Sequence, residues 1–226
     1  MSPLAVIPHI PDRIDITSCS KRNRDDHIAR YTFACKYAKG KHVLDIACGT
    51  GYGTDMLRKS GAAVLGVDIS QDTIKKAKQK YGDYFATGDI RTFQSKQKFD
   101  MIVCFETIEH ISEYHEVIQN LYSLLKKNGR LLISSPNKRI TKPLIGKPMV
   151  SFHAQEFTPK ELTFLLNEKF TVQGYFAQRQ QPRIPCKIAR SIYGKICRPQ
   201  HRASPVVTKV HPWNEGRYFI VLATAK

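Results

Sequence analysis

Val43-Leu44-Asp45-Ile46-Ala47-Cys48-Gly49-Thr50-Gly51-Tyr52-Gly53-Thr54 reads as an apolar strand that passes through a glycine-rich turn into a helix. Glycines at 49 and 51 let a ligand approach the backbone closely, and the start of the following helix offers N–H donors without intrahelical partners. Nineteen residues after Gly49, Asp68 closes the apolar run Val64-Leu65-Gly66-Val67-Asp68. A carboxylate there accepts hydrogen bonds from both hydroxyls of a ribose, so the two motifs together suit a nucleoside-containing cofactor. The dinucleotide spacing G-x-G-x-x-G is not met, because position 54 is Thr and the glycines fall at 49, 51 and 53. That counts against a nicotinamide or flavin.

Around this stretch, short apolar runs alternate with amphipathic ones, the pattern of an α/β fold with a parallel sheet covered by helices. The spacing predicts strands at His42 to Ala47, Ala62 to Val67, Tyr84 to Thr87, Phe99 to Cys104, Arg130 to Ser135, Phe170 to Gln178 and Arg217 to Ala225. From Glu113 to Lys126, Tyr114, Val117, Ile118, Leu121, Tyr122 and Leu125 form one apolar helical stripe, which stops at Asn128-Gly129. Thr158-Pro159-Lys160-Glu161 is a capping box with proline at the first helical position, opening a helix through Asn167. Asp25 to Lys39 reads as a helix closed by Gly40.

The chain has 226 residues, 42% of them hydrophobic, enough for a self-sufficient core. No apolar run approaches the ~18 residues of a spanning helix. The prolines at 3, 8 and 11 and the lack of a positive start do not read as a secretory signal. Six cysteines without a C-x-x-C pair suggest reduced thiols of a cytosolic protein, with Cys48 and Cys104 packing as small hydrophobes. Lys and Arg number 36 against 19 Asp and Glu, a net charge of +17. Residues 136 to 226 alone carry +12, so the C-terminal part faces an anion.

With Asp45, the glycine loop, Asp68 and Gly88-Asp89-Ile90 in order, the chain resembles the class I S-adenosylmethionine (SAM) dependent methyltransferases over about residues 25 to 175. The resemblance implies a Rossmann-like, seven-stranded sheet with helices on both faces and the last strand antiparallel. It implies a SAM-binding domain at 41-226, preceded by an N-terminal helical lid segment at 1-40 and carrying a basic insertion at about 179-214. By the same likeness Gly49 and Gly51 lie against the methionyl part of SAM, Asp68 holds the ribose, Ile69 flanks the adenine, and Asp89 with Ile90 borders its amino edge. Tyr31, Asp45, Ala47 and Phe105 complete the expected cofactor set, Ala47 standing where the family often has the first loop glycine. The blander readings are that Asp68 caps the helix after Ser70 and that Asp89 serves a turn.

After the fourth strand, Cys104-Phe105-Glu106-Thr107-Ile108-Glu109-His110 would, if helical, bring Glu106, Glu109 and His110 onto one face beside the crevice. Such a trio suits a divalent cation (Mg²⁺, Mn²⁺ or Zn²⁺) with His153 as a fourth donor. It equally suits a general base at His110, or a structural role in which the acids pair with Lys or Arg. The E-x-x-E-H pattern followed by His153 and Phe157-Thr158-Pro159 is similar to that of ubiquinone-biosynthesis O-methyltransferases and small-RNA 3′-end 2′-O-methyltransferases. Together with Arg30-Tyr31-Thr32-Phe33-Ala34 it also resembles bacterial glycan-associated methyltransferases. In all three the acceptor is an oxygen. No Asn/Asp-Pro-Pro-Tyr/Phe stretch follows the fourth strand, which disfavours methylation of a base amine.

Residues 179 to 214 hold eight Lys or Arg and no acid, and Ile188, Ile192 and Ile196 share a helical face. The segment suits a lid on its own domain, an anionic membrane surface met peripherally, or a phosphorylated or lipid-linked glycan. Tyr193 and Trp213 are its only aromatics, too few for the base stacking that RNA binding favours. The expectation is a SAM-dependent O-methyltransferase acting on a small glycan-like or phenolic hydroxylated acceptor. An RNA 2′-O-methyltransferase and a non-catalytic SAM-binding or membrane-associated accessory protein are the alternatives.

Overall fold

The computed structural model describes residues 18–141, 154–182, 204–210 and 214–226. His153, the Lys138 to Val150 loop beyond 141 and most of the basic insertion lie outside the described residues.

Five strands build the parallel part of the sheet: β1 His42–Ile46, β2 Ala63–Asp68, β3 Phe85–Thr87, β4 Phe99–Cys104 and β5 Leu125–Pro136. They are joined by β6 Phe170–Pro182, β7 Thr208–Lys209 and β8 Asn214–Ala225 in the order β3-β2-β1-β4-β5-β8-β6-β7. β8 runs antiparallel to both β5 and β6, as expected of the last strand. An eighth strand is added to the expected seven: β7 pairs its Lys209 and Thr208 with Phe176 and Ala177. The order reverses between β1 and β4, and in open α/β sheets the crevice at such a reversal is where ligands sit.

Both faces are covered, so successive strand residues divide between two cores. Leu44, Ile46, Ile102 and Cys104 point to the core shared with helices α4 Tyr114–Leu124 and α6 Pro159–Leu166. Val43, Met101, Val103 and Leu132 point to the opposite core, with Tyr31, Phe33 and Ala34 of α1 Lys21–Ala38 and Leu57 of α2 Tyr52–Lys59. The apolar stripe of α4 buries Val117, Ile118, Leu121 and Leu124, each contributing about 1.5–3 kcal/mol relative to exposure. α6 begins at the predicted capping box: Thr158 Oγ1 accepts from the Glu161 N–H, and the Glu161 carboxylate accepts from the Thr158 N–H. α3 Gln71–Tyr81 is capped by Ser70, and α5 Lys138–Thr141 is a single short turn after β5.

Besides one-residue shifts, the element boundaries differ from the sequence reading in three places. α4 ends at Leu124, and β5 starts at Leu125 rather than Arg130, with Asn128 taking a φ of 60° inside an irregular lead-in. Asn tolerates that backbone better than other non-glycine residues. β6 and β8 run past Gln178 and before Arg217, pairing as far as Pro182 with Asn214. α1 starts at Lys21, capped by Ser20. No helix among the described residues is long and apolar enough to cross a membrane. The four described cysteines are free thiols, with Cys48 and Cys104 buried.

Candidate functional site

The turn after β1 is built on left-handed backbone: Ala47, Gly49 and Gly51 have φ of 60°, 54° and 81°. This curls the chain so that Cys48 N–H donates to Val67 O at 3.0 Å and Gly49 N–H donates to Asp68 Oδ2 at 2.9 Å. The three glycines divide their work. A side chain on Gly49 would meet nothing within 4 Å, so this residue faces open space. The space beside Gly51 is filled by Phe85 and Ala77, and that beside Gly53 by the Tyr31 ring, so both allow internal close packing.

Asp68 is buried at the end of β2, its Oδ2 taken by Gly49 N–H and its Oδ1 by Ser70 N–H at 2.9 Å. A carboxylate offers about four lone-pair sites, so bonds from backbone N–H groups do not by themselves preclude acceptance from ligand hydroxyls. The helix-cap role falls to Ser70, whose hydroxyl accepts from Thr73 N–H. Asp89 is engaged differently. Arg91 grips it through Nε and Nη2, at 3.0 and 2.6 Å, and this holds its carboxyl below the ordinary range. Its carbonyl also closes a turn by accepting from Thr92 and Phe93 N–H. Ile69 beside Asp68 is half-buried, and Ile90 beside Asp89 is buried.

Tyr31, Asp45 and Phe105 lie beneath the loop. The Tyr31 hydroxyl donates to Asp45 at 3.0 Å, the Thr54 hydroxyl donates to the other Asp45 oxygen at 2.6 Å, and Phe105 meets the Tyr31 ring edge-on. Burial pushes the Asp45 carboxyl up to about 7 against the pull of those two hydroxyls. These three residues support the loop from inside, and their polar atoms are already bonded.

The carboxylates after β4 do not share a helical face. Only Ile108–His110 forms a single 3₁₀ turn, and Glu106 precedes it with a φ of 50°. The cause is Ser134, at the end of neighbouring β5: its Oγ accepts from Glu106 N–H at 3.0 Å and donates to Glu106 Oε1 at 2.7 Å. Glu109 is 1% exposed, and its Oε2 has no hydrogen-bond partner among the described residues. Burial first and the neighbouring Glu106 second push its carboxyl well up. His110 is half-buried at the end of the turn. Among the described residues no group of three His, Cys, Asp or Glu side chains is arranged to hold a metal ion. The predicted trio Glu106, Glu109 and His110 is not gathered into such a group, and His153, the fourth donor expected with it, lies outside the described residues.

Several polar residues at this end were given no site role from sequence. Ser134 is one. Arg30, quoted there only within the stretch Arg30 to Ala34, is another, 1% exposed, donating to Gln178 Oε1 at 2.7 Å. Beside it Arg179 Nε donates to both Asp26 oxygens, at 2.7 and 2.8 Å. Buried Glu156 accepts from the Thr141 hydroxyl at 2.7 Å. The available signal was for Ser134 alone: a hydroxyl at the carboxyl end of a strand next to β4.

A family model described as a methyltransferase domain matches residues 38–177. The ubiquinone biosynthesis O-methyltransferase of Coxiella burnetii is 39% identical over 106 residues, covering 44% of this chain and 45% of that protein. A probable S-adenosylmethionine-dependent methyltransferase of Mycolicibacterium smegmatis is 29% identical over 133 residues, covering 56% and 50%. The chain spans about half the length of the curated relatives it matches. Among solved structures, the PH0226 protein of Pyrococcus horikoshii superposes with a TM-score of 0.67 at 22% identity, covering 96% of both chains. The N-methyltransferase NodS of Bradyrhizobium japonicum, solved with S-adenosyl-L-homocysteine, gives 0.61 at 14% identity over 96% and 93%. At these identities the structural likeness establishes the fold.

Proposed function

We propose, given that this chain belongs to the methyltransferase-domain family and is a class I SAM-dependent methyltransferase, that it methylates a hydroxyl oxygen of a small glycan-like or phenolic acceptor. The observation that carries the cofactor assignment is the opening over Gly49 beside the buried Asp68 carboxylate, at the point where strand order reverses. SAM, when bound, supplies a methyl group on a positively charged sulfur. Gly49 and the Gly51 backbone would lie along its amino-acid part, Asp68 would accept from the ribose hydroxyls, Ile69 would flank the adenine, and Asp89 with Ile90 would border its amino edge. Tyr31, Asp45, Ala47 and Phe105 hold the loop in shape.

The oxygen preference is supported by the polar end of β4 and by the printed activity of the Coxiella relative. A hydroxyl with a pKa near 10 or above is a weak nucleophile at neutral pH, so a positioned base is needed. His110 would accept the acceptor's proton as its oxygen forms the new bond to the methyl carbon and the carbon–sulfur bond breaks. Glu106, fixed by Ser134, would orient that hydroxyl, and Glu109 would back the turn from below.

The test uses labelled SAM with catechol-type and sugar acceptors. His110→Ala is expected to lower kcat by about 10²–10⁴ while leaving the SAM dissociation constant unchanged. Methylation of amines in place of hydroxyls, or full activity in the variant, would overturn the reading.

A further inference from the structure

The carboxyl ends of β6 and β5 and the facing end of β8 bring together more positive charge than the neighbouring acids answer. Gln178, Tyr218 and Pro136 lie side by side across β6, β8 and β5, two residues beyond the Ser134 that holds Glu106. Around Tyr218 stand Arg30, whose guanidinium is 4.9 Å from the ring centroid, and Arg217, at 5.8 Å. Arg22 is close enough to Arg217 and Arg179 that, after burial, their repulsion is what lowers its pKa.

Two acids in this neighbourhood are paired, and a third, Glu109, lies within electrostatic reach of Arg30 without bonding to any of these arginines among the described residues. Asp26 is held through both oxygens by Arg179, and Glu215, two residues before Arg217, meets Arg139 at 3.2 Å. That leaves Arg22, Arg30 and Arg217 without an ion pair among the described residues. The Nε atoms of Arg30 and Arg217 are buried with no hydrogen-bond acceptor among those residues. A buried guanidinium is costly unless paired, because its desolvation is repaid only by an anion or by a full set of acceptors. The whole remaining chain adds acids only at Asp12 and Asp15, since residues 142–153, 183–203 and 211–213 contain none.

We infer that Arg30, Arg217 and Arg22 form a subsite for an oxyanion carried by the acceptor, a phosphate or a carboxylate. The planar fork of arginine matches such a group with paired N–H donors, and the burial of Arg30 beside the half-buried Arg217 strengthens the attraction. Arg30 connects the subsite to the reacting end, because it is the cation that opposes the upward push on the Glu109 carboxyl. The methylated hydroxyl would then belong to an anionic molecule. This rests on the oxygen-transfer reading above and deepens it.

The experiment titrates the full chain with inorganic phosphate and, separately, with acetate, at fixed ionic strength balanced by chloride and followed by calorimetry. Saturable binding of one probe at millimolar concentration or below is expected, and which probe binds separates phosphate from carboxylate. Arg217→Gln should weaken it at least 10-fold and Arg22→Gln about 3-fold, with S-adenosylhomocysteine binding unchanged. Arg22 is exposed and Arg217 half-buried, so both variants test the site without emptying the core. Binding no better than chloride, or equal binding by both variants, overturns the inference. So does binding that emerges only in Asp12→Asn/Asp15→Asn, which would mean that the chain's own acids fill the site. If neutral hydroxylated acceptors are methylated while neither oxyanion binds, the subsite fails and oxygen transfer stands. Loss of S-adenosylhomocysteine binding by the wild type would instead remove the underlying reading.

Discussion

On the side of the crevice proposed for the methyl donor, Asp68 accepts two backbone N–H bonds, Asp89 is gripped by Arg91, and Asp45 is held by two hydroxyls. On the side proposed for the acceptor, Glu109 Oε2 and the Nε atoms of Arg30 and Arg217 are buried and have no such partner among the described residues. The sheet is continuous beneath both, so the fold does not explain the contrast. A buried polar atom without a partner costs about 1–3 kcal/mol, which a domain tolerates where a ligand repays it. The acids of the first side are thus held in place before anything binds, whereas the second leaves buried polar atoms to be completed by what it binds.

The largest effect that would sharpen this contrast is in pH dependence, because both sides bury an acid with its pKa pushed up. Asp45 reaches about 7, above the ordinary carboxylate value near 3.9 of the unfolded chain. The native state therefore keeps a proton that the unfolded state releases. This group's contribution is full below about pH 4 and is lost as pH rises through 7, on the order of 4 kcal/mol in all. In urea unfolding, Asp45→Asn should show a stability curve that declines less between pH 4 and 8 than the wild type. Glu109 has no donor to Oε2 and is pushed up by burial and by Glu106. It too favours the native state at low pH, and Glu109→Gln should shift the curve with the same sign. Parallel curves for wild type and Asp45→Asn would mean that Asp45 is ionised in the folded chain at neutral pH, and the two sides would then be less alike in their buried acids.

A smaller effect probes the first side directly. Asp68→Ala removes acceptors for the proposed ribose hydroxyls and for Gly49 and Ser70 N–H. Bonds to a charged group contribute about 1.5–3 kcal/mol, so calorimetry should find SAM bound roughly 10- to 150-fold more weakly. Unchanged affinity would break the assignment of this side to the donor.

The same division governs what could be read from the chain beforehand. The capping box at Thr158 is local: it depends on residues three positions apart, and the predicted partners are the ones observed. The glycine loop and Asp68 were legible as separate motifs, but the bond that joins them, Gly49 N–H to Asp68, spans 19 residues. Glu106 to His110 looked helical because the local pattern allows it, yet Ser134, 28 residues on, decides its backbone. Arg30 lies on a helix where an arginine ordinarily faces water. Its burial is set by Gln178, 148 residues away, and no local pattern carries that information. β7 and the outer ends of β6 and β8 were missed for the same reason, since a two-residue strand is defined by its partner.

The smallest effect concerns the one place where the first side is strained. Ala47 holds a φ of 60°, where a Cβ is crowded by its own backbone at a cost of roughly 1–2 kcal/mol. Asp68 keeps the turn closed through Gly49 N–H, and Cys48 N–H is tied to β2, so the chain has no freedom to relax at residue 47. Ala47→Gly removes the crowding but gives the unfolded chain more conformations, an opposing contribution of about 0.5–1 kcal/mol. The expected net gain is therefore up to about 1 kcal/mol, read as a higher urea midpoint with an unchanged slope, and with SAM affinity within a factor of two. A loss of stability would mean that the Ala47 methyl packs favourably enough to outweigh its strain. A gain accompanied by weaker SAM binding would show that the strain itself shapes the loop for its ligand, and that even the side held in place stores something for binding.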